Sequence, residues 1–489
     1  MLAARFGLGI RTDAFFIAIG VPQLVWSILA SSGTRVLTPI FTQLLDEEGS
    51  HGIWRSFSLL GNLSLIVMPL ISAAGVLLSP LVVAIAGAGL QGEAAALTIT
   101  LNRILFLMLI PAGLIQLMKA VLNAHRHFST PAATTLLQYV IIIVTILVLE
   151  GTLGVLAVAV GYVLSMIGQV LILGAVILTK GGKYVATLDV KDPIVRKTAR
   201  LLTPPLSGEV LGQSIAVIER ALASFLPPGS VSALAFAGRI LRALDITFLN
   251  NVVVAILPRL SSLATVKDFS GLKRLASMGL RVAWAITIPL TALVVALNLP
   301  IVRLLFQRGA FDQQAAVITG RILSLYIIGF PFLATVRMLV AVFYAKQDTR
   351  TPFFIRAAML GFNLAGDLIL MRLLGVFGLA LATSLTYVVN AFLVGRLLRR
   401  SIGPLNLRVN LYLAKTAIAA FAMALTTVAL RVLLEQILDT NTFSGLLLQL
   451  IPLLAVAGTT YLGALALLRI EEYQQVVGWI RGRLPLRVT

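Results

Sequence analysis

The chain has 489 residues, of which 59% are hydrophobic and only 12% charged, with a mean hydropathy of +0.99. Soluble globular proteins are about half apolar and about a quarter charged, so this composition excludes an ordinary soluble protein. The formal net charge of +20 would suit a nucleic-acid-binding protein, but the basic residues are not gathered in one patch with interleaved aromatic residues, and we expect no nucleic-acid partner.

Apolar runs of about 20 residues or more, the length that a helix needs to cross a bilayer, follow one another along the whole chain. These runs lack the alternation of a strand, so we predict an all-α polytopic membrane protein with about 13 complete spans. The predicted spans are 14–45, 53–80, 95–122, 131–149, 153–178, 198–225, 231–262, 272–299, 316–344, 353–372, 376–398, 408–434 and 445–468. Pro111 and Pro331 lie inside two of them, where a membrane bundle more often has a kink than a helix end.

One set of loops between these runs is rich in Lys and Arg, and the alternate loops are poor in them. The basic set comprises the loops at 180–200, 267–274, 346–350 and 396–408. The positive-inside rule places this set in the cytoplasm. The N-terminus then lies outside, although residues 1–6 are too short to cross a bilayer. We therefore expect that most of a first helix is missing; the alternative is a true thirteen-span protein.

A stretch of the chain occurs twice at a constant offset. Thr130-Pro131 and Gly154-Val155 return 221 residues later as Thr351-Pro352 and Gly375-Val376. Such a duplication in a hydrophobic chain is typical of transporters with two homologous lobes. Each copy holds about six helices, an even number, so we expect lobes of the same orientation with a substrate path between them. We predict an N-lobe at 1–190, a C-lobe at 195–400, two further transmembrane helices at 408–470 and a cytoplasmic basic tail at 471–489.

Several blocks of the sequence resemble MurJ (MviN) lipid II flippases. The strongest resemblance is at 343–352, Phe-Tyr-Ala-Lys-Gln-Asp-Thr-Arg-Thr-Pro, and further blocks are 12–16 with 22–24, 218–226, 229–232 with 237–239, and 306–311. The family belongs to the multidrug/oligosaccharidyl-lipid/polysaccharide exporter superfamily and has fourteen helices. The resemblance implies a transporter that moves undecaprenyl-linked peptidoglycan precursor across the bacterial cytoplasmic membrane by alternating access. The expected partners are this undecaprenyl-pyrophosphate-linked lipid, membrane lipids and other cell-wall synthesis proteins, and we expect a monomer.

The sequence carries no motif of an enzyme: a Walker A loop, a nucleophile elbow and an HExxH helix are all absent. Trp26-Ser27 stands where typical family members have a basic pair. This departure leaves open an exporter of another polyprenyl-linked glycan. A multidrug exporter of the same superfamily and a non-transporting scaffold are further alternatives, although the excess of buried arginine over acid in the first lobe disfavours cationic drugs.

Arginines within the predicted spans are candidates for binding the pyrophosphate of such a substrate, because a guanidinium stays charged and can bind phosphate oxygens bidentately. Arg239 is the first choice, since it stands where the resemblance places a cavity arginine. Arg242 lies three residues further on the same helical face, and Arg35, in the first complete span, would oppose them. Asp13, in the first matching block, completes the candidate substrate-binding residues. The alternatives are that Arg242 pairs with Asp245 and that Arg35 pairs locally.

A second constellation is anionic. Asn363 and Asp367 are four residues apart and share one helical face, and carboxylate, amide, hydroxyl and backbone oxygens suit a hard cation. Some members of the family bind sodium, and by that resemblance Glu219, Asn363, Asp367 and Thr383 would hold Na+, with Leu379 as carbonyl donor. Glu219 replaces the usual aspartate. The alternative is that the two acids pair with arginines. We expect no other cofactor.

Overall fold

The structure is a computed structural model that describes residues 1–405, 409–440 and 442–470, without the side chains at 32, 34–35, 203–209, 211–212 and 409–410. Every regular element in this part of the chain is helical, which confirms the predicted all-α class. The chain divides into two compact units, Met1–Ser232 and Ala233–Thr489. The lobe boundaries drawn from the sequence repeat stay a prediction, and the predicted tail 471–489 lies outside the described residues.

The first unit contains the helices α1 to α9, which lie between Leu2 and Ala223. They are α1 Leu2–Phe6, α2 Ile10–Ala18, α3 Gly20–Leu77, α4 Ser79–Ala86, α5 Gly92–Phe106, α6 Leu109–Ala124, α7 Ser129–Leu153, α8 Leu156–Thr179 and α9 Pro193–Ala223. Helix α10, Ser230–Leu244, starts at the end of this unit. Within the unit, α3 packs against α6 and α9, α2 packs against α5, and α7 packs against α8.

The second unit continues from α10 through a π-helical turn, Asp245–Leu249. Its further helices are α11 Asn250–Thr265, α12 Phe269–Ala296, α13 Asn298–Phe306, α14 Gln313–Ile328, α15 Phe330–Ala345, α16 Arg350–Leu374, α17 Val376–Ile402, α18 Val409–Ile437 and α19 Phe443–Leu467. Helix α15 packs against α11, α12 and α17, and α16 and α17 form an antiparallel pair. A buried apolar cluster that includes Leu280, Met338 and Val394 joins α12, α15 and α17.

Eleven helical segments of the described residues are long and apolar enough to cross a membrane. The first, Ile10–Leu77, contains the predicted run 14–45 and most of the run 53–80, and the two meet near Gly49, a residue with the non-helical angles φ 64 and ψ −158. Nearly all of the predicted run 198–225 lies in α9, which is not among the eleven. The structure thus accounts for the predicted runs as helices, while several of them are broken.

Two of the breaks lie close to a proline. The run 95–122 is divided into α5 and α6 just before Pro111, and the run 316–344 is divided into α14 and α15 just before Pro331. Proline lacks a backbone N–H and its ring clashes with the preceding turn, so a helix is interrupted there. Because both copies of the repeat are broken at this place, the interruption is part of the duplicated design.

The duplication extends to the backbone. Helices α6 and α15 have 16 residues each, and α7 and α16 have 25 residues each. Gly154 ends α7 with φ 55 and ψ −133, and Gly375 ends α16 with φ 59 and ψ −134. Positive φ with this ψ is a conformation that glycine adopts without the steric cost of a Cβ atom. The repeated Gly-Val of the sequence therefore marks the same sharp turn twice.

Candidate functional site

Helix α10 presents the candidate arginines on its polar face. Leu234, Ala237 and Leu241 are buried on the other face, whereas Arg239 and Arg242 are exposed. The guanidinium of Arg242 turns back along the helix, since a Cβ atom added at Gly238 would lie 3.6 Å from its Nη1. The structure thus places the two arginines on one accessible helical face, as their spacing predicts. Their role in substrate binding stays a prediction.

Directly after these arginines the backbone changes to a π-helical turn that begins at Asp245. The carboxylate Oδ2 of Asp245 accepts a hydrogen bond of 2.6 Å from Nη2 of Arg337 on α15, and the two form an ion pair. Asp245, the alternative partner considered for Arg242, is therefore engaged by Arg337. Arg337 is not among the candidates predicted from the sequence, although an arginine inside an apolar run is a signal for a buried partner or a cavity.

Asp13 has a defined set of contacts in the first unit. It is 4% exposed, and its oxygens accept hydrogen bonds from the backbone N–H groups of Gly229, at 2.6 Å, and Ser232, at 2.7 Å. A helix leaves its first N–H groups without intrahelical partners. Asp13 satisfies two such groups at the start of α10, and these contacts favour a structural role for its carboxylate.

The remaining first-unit candidates lie on α3 and α9. The side chain of Arg35 is outside the described part of the structure, so its proposed role stays a prediction. Glu219 lies on α9 and is half-buried. The neighbouring Arg220 donates from Nη1 to the carbonyl oxygen of Phe16, at 3.2 Å, and so links α9 to α2.

The four candidate cation ligands of the second unit lie on the α16–α17 pair. Asn363 is 2% exposed, and Asp367 and Leu379 are fully buried. Asn363 donates from Nδ2 to Oγ1 of Thr386 at 3.2 Å, which fixes the amide against α17. One turn further along α16, a Cβ atom added at Gly366 would lie 3.4 Å from that of Ala382, so the two helices approach closely beside Asp367.

These residues fit a small hard cation in their donor chemistry. Thr383 Oγ1 is buried and has no hydrogen-bond partner among the residues that the structure describes. A buried hydroxyl without a partner is costly, and an ion would accept its lone pair. With the Asp367 carboxylate, the Asn363 amide oxygen and the Leu379 carbonyl, it supplies the oxygen ligands that such a cation requires. Glu219 belongs to the first unit, and its membership of the set stays a prediction.

Two carboxylates in the loops cap the helices that follow them. Asp348 Oδ1 accepts from the backbone N–H of Thr351 at 3.0 Å, and its Oδ2 accepts from the Thr351 hydroxyl at 2.7 Å. These bonds favour the charged form and hold the pKa of Asp348 below its ordinary value. Asp268 has a lowered pKa chiefly because it accepts a hydrogen bond from the backbone N–H of Gly271. Both acids stay ionised and stabilise helix starts.

Comparison with protein families gives one match that covers most of the chain. The family model described as lipid II flippase MurJ matches residues 2–449. A lipid II flippase MurJ of Burkholderia cenocepacia is 26% identical over 403 residues, which cover 81% of this chain and 78% of that protein. A probable lipid II flippase MurJ of Rhizobium meliloti is 27% identical over 405 residues, which cover 80% of this chain and 75% of that protein.

Solved structures share the fold at lower identity. A lipid II flippase MurJ in an inward closed conformation has a TM-score of 0.77 and 22% identity, and the match covers 97% of this chain and 95% of that one. An inward-facing multidrug resistance MATE family transporter of the MOP superfamily has a TM-score of 0.70 and 16% identity, over 82% of this chain and 96% of that one. These likenesses show a fold common to both kinds of transporter.

Proposed function

Because this chain belongs to the lipid II flippase MurJ family, we propose that it moves lipid II across the bacterial cytoplasmic membrane by alternating access. The observation that carries the proposal is the family match over residues 2–449, which extends through both compact units from α1 to the start of α19. The apolar helical segments along the chain are what a multi-pass protein of that membrane requires. The family is one of transporters, and we propose no catalytic step for this chain.

Arg239 and Arg242 would bind the pyrophosphate of the lipid-linked substrate. Both lie exposed on the polar face of α10, three residues apart, so that two guanidinium groups can reach one diphosphate. A guanidinium donates two parallel hydrogen bonds to phosphate oxygens, a geometry that a lysine cannot provide. Asp245, one turn further along the chain, forms an ion pair with Arg337.

Sodium would bind at the α16–α17 pair and couple an ion gradient to transport. The supporting observations are the burial of Asp367 and Asn363 in a membrane-spanning hairpin and the buried Thr383 hydroxyl. An intramembrane carboxylate is costly and is usually retained for a partner or an ion. Binding of Na+ there would lower this cost in one conformational state more than in the other, which is the condition for coupling. Action as a monomer and contact with other cell-wall synthesis proteins complete the proposal.

Complementation tests the transport function. The protein is expressed in cells depleted of their own lipid II flippase, and growth is recorded after depletion. Rescue supports the proposal. Failure of growth, with the protein well expressed and inserted in the membrane, would contradict it and favour a different polyprenyl-linked cargo.

Variants of two basic residues test the substrate site. Arg239→Ala should abolish rescue, because a charge that faces the pyrophosphate is lost, whereas Lys180→Ala should rescue like the unchanged protein. Lys180 is a suitable control because it is an exposed cation directly after α8. Equal rescue by the two variants, at equal membrane levels, would remove Arg239 from the substrate site.

The sodium site is tested on the purified protein. Sodium that binds only the folded state raises the midpoint of thermal unfolding as its concentration increases. Asp367→Asn should reduce this rise in NaCl relative to KCl, because the amide cannot neutralise the ion. An undiminished sodium response in Asp367→Asn would exclude the carboxylate as a ligand while leaving the transport proposal intact.

A further inference from the structure

A basic cavity lies at the start of α9, the helix that precedes the candidate arginines of α10 in the chain. Its volume is about 410 Å3. Its lining residues are Lys191, Pro193, Arg196, Lys197, Arg200 and Leu201. Arg196 and Arg200 are four residues apart, so their side chains emerge from the same face of the helix. Four cations therefore surround one small cavity.

The acids nearest in sequence are held by other groups. Asp192 accepts from Nη2 of Arg55 at 3.1 Å and from the backbone N–H of Ile194 at 2.9 Å, where it caps α9. Asp189 accepts from the backbone N–H of Lys191 at 2.9 Å. Lys197 donates to Gln43 of α3 at 2.8 Å, and Gln43 donates in turn to Oε1 of Glu47 at 2.7 Å. The residues that line the cavity itself include four cations and no acid, so the cavity carries an excess of positive charge.

The segment that leads into the cavity is fastened to α3. Residues 183–190 form no helix and run along a polar stripe of that helix. Val185 donates from its backbone N–H to Ser58 Oγ at 3.0 Å, Tyr184 donates from its hydroxyl to Asn62 Oδ1 at 2.9 Å, and Asn62 donates to the carbonyl of Thr187 at 2.8 Å. Long-range hydrogen bonds thereby hold residues 184–187, shortly before Lys191, against α3.

The same segment exposes large apolar side chains. Tyr184 is 70% exposed, Leu188 57% and Val190 62%. In a loop that the positive-inside rule places on the cytoplasmic side, apolar side chains next to lysines suit the boundary between headgroups and acyl chains. Tyrosine is enriched there because its ring is apolar and its hydroxyl is polar. The apolar residues therefore indicate that the cavity opens toward the membrane surface.

We propose that this cavity binds the phosphate group of an anionic phospholipid of the cytoplasmic leaflet. The arginines supply bidentate donors for the phosphate oxygens, and the lysines supply further positive charge. Basic residues next to a membrane are attracted to anionic headgroups. The chemistry that recognises the ligand is a phosphate; the exposed apolar side chains of Tyr184, Leu188 and Val190 select the lipid as its source.

Titration of purified protein in neutral detergent tests the proposal. Short-chain phosphatidylglycerol, phosphatidylcholine and inorganic phosphate are added separately, and binding is read from the rise in the thermal unfolding midpoint. Phosphatidylglycerol should stabilise the protein and the other two should not. In the triple variant Arg196→Gln, Lys197→Gln, Arg200→Gln, affinity for phosphatidylglycerol should fall on the order of a hundredfold, about 3 kcal/mol at 1.4 kcal/mol per tenfold.

The chain offers a matched control. Arg396, Arg399 and Arg400 are three exposed cations on one face at the end of α17, and their replacement by Gln removes the same charge. This variant should bind phosphatidylglycerol like the unchanged protein. The proposal would be overturned if the two triple variants lost affinity for phosphatidylglycerol equally, or if the first variant lost none. If inorganic phosphate stabilised the unchanged protein and the first triple variant lost this stabilisation, the ligand would be a free phosphate and the proposal of a lipid would be overturned.

A further pair of variants guards against misfolding. Arg196→Lys with Arg200→Lys keeps the charge, and Lys197→Gln removes a single cation that is bonded to the neutral Gln43. Both should fold and elute as the unchanged protein does on gel filtration, and both should bind with intermediate affinity. If both variants bound phosphatidylglycerol as tightly as the unchanged protein does, these side chains would have no role in binding.

Discussion

The segment α6–α8 and the segment α15–α17 are two versions of one backbone with different interiors. Their helices have the same lengths or nearly so, and the turns between α7 and α8 and between α16 and α17 each begin at a glycine with nearly identical angles. The side chains between the paired helices differ. The two copies therefore share their backbone geometry, which a few glycines and prolines maintain. They differ in the side chains at a small number of buried positions.

The interior difference is clearest between the paired helices. In the first copy Ile142 and Ile146 are buried on α7, and Gly161 of α8 packs against the backbone of Ile142. In the second copy the corresponding positions hold Asn363 and Asp367. The same helix packing thus encloses an apolar contact in the first copy and a set of oxygen donors in the second. The comparison locates the proposed coupling ion in the second copy.

The loops before these helices differ in the same way. His127 contacts the Thr130 hydroxyl at 2.8 Å in the first copy, and Asp348 takes its place beside Thr351 in the second. Thr130 and Thr351 occupy equivalent positions of the repeat. The contact to the threonine hydroxyl is therefore kept while its partner changes from an imidazole to a carboxylate, and Asp348 also accepts from the backbone N–H of Thr351.

The largest effect is expected when the second interior is made like the first. Asn363→Ile with Asp367→Ile should abolish sodium-dependent stabilisation and flippase complementation, because the oxygen ligands are lost. The fold should persist, since replacing buried polar groups by apolar ones of similar volume is often neutral or stabilising. Thermal unfolding in NaCl and in KCl measures the first effect, and growth measures the second.

Ile142→Val with Ile146→Val is the control in the first copy. It removes one methylene group at each of the equivalent buried positions and should leave the sodium response unchanged, with a loss of about 0.5–1.5 kcal/mol per residue. A sodium response that survives Asn363→Ile with Asp367→Ile would show that the two interiors do not differ in cation binding.

A smaller and equal effect is expected at the two glycines. Gly154→Ala and Gly375→Ala should each lower the free energy of unfolding by about 1–3 kcal/mol, because a side chain strains the positive-φ backbone. No heavy atom lies within 4 Å of a Cβ built at either position, so the cost comes from the backbone alone. Gly361→Ala, inside α16 and equally open, should be neutral or stabilising. Unequal losses at the two turns would break the comparison.

The smallest effect is expected at the loop cap. Asp348→Ala should destabilise the protein by about 1 kcal/mol at neutral pH through loss of the bonds to Thr351. Since the pKa of Asp348 is lowered in the folded state, its contribution is present above the ordinary carboxyl pKa and is lost as the pH falls through the lower folded value. Unfolding midpoints of both proteins, measured from neutral to acidic pH, should therefore converge at the acidic end.

Asp46→Ala provides the control for the cap, because Asp46 is an exposed acid of α3. It should change stability by less than about 0.5 kcal/mol across the same pH range. A constant difference between Asp348→Ala and the unchanged protein down to the most acidic pH would contradict an ionised cap.

Much of the architecture could be predicted because its signals are local. Run length predicts the helices, and the repeated Gly-Val predicts the turns at Gly154 and Gly375. The shared faces of Arg239 with Arg242 and of Asn363 with Asp367 follow from the helical period alone. These features require no knowledge of which helices are neighbours.

The contacts of the acids could not be predicted. Asp13 bonds to backbone groups 216 and 219 residues away, and Asp245 pairs with Arg337 across 92 residues of sequence. Local spacing offered Arg242 as an alternative partner of Asp245, but it could not indicate Arg337, because that pairing depends on which helix packs against the turn. A sequence also does not show which backbone N–H groups need an acceptor, because almost every residue type has the same backbone N–H.

By itself the sequence determined an all-helical membrane protein, its internal duplication and the polar positions that break the repeat, because chain-local hydrophobicity and backbone constraints are sufficient for these. Only the tertiary structure decided that Asp13 holds the start of α10, that Arg337 engages Asp245 and that residues 183–190 lie on α3. The physical reason is that a buried polar group takes the partner that packing brings within about 3 Å, and packing is a property of the whole chain.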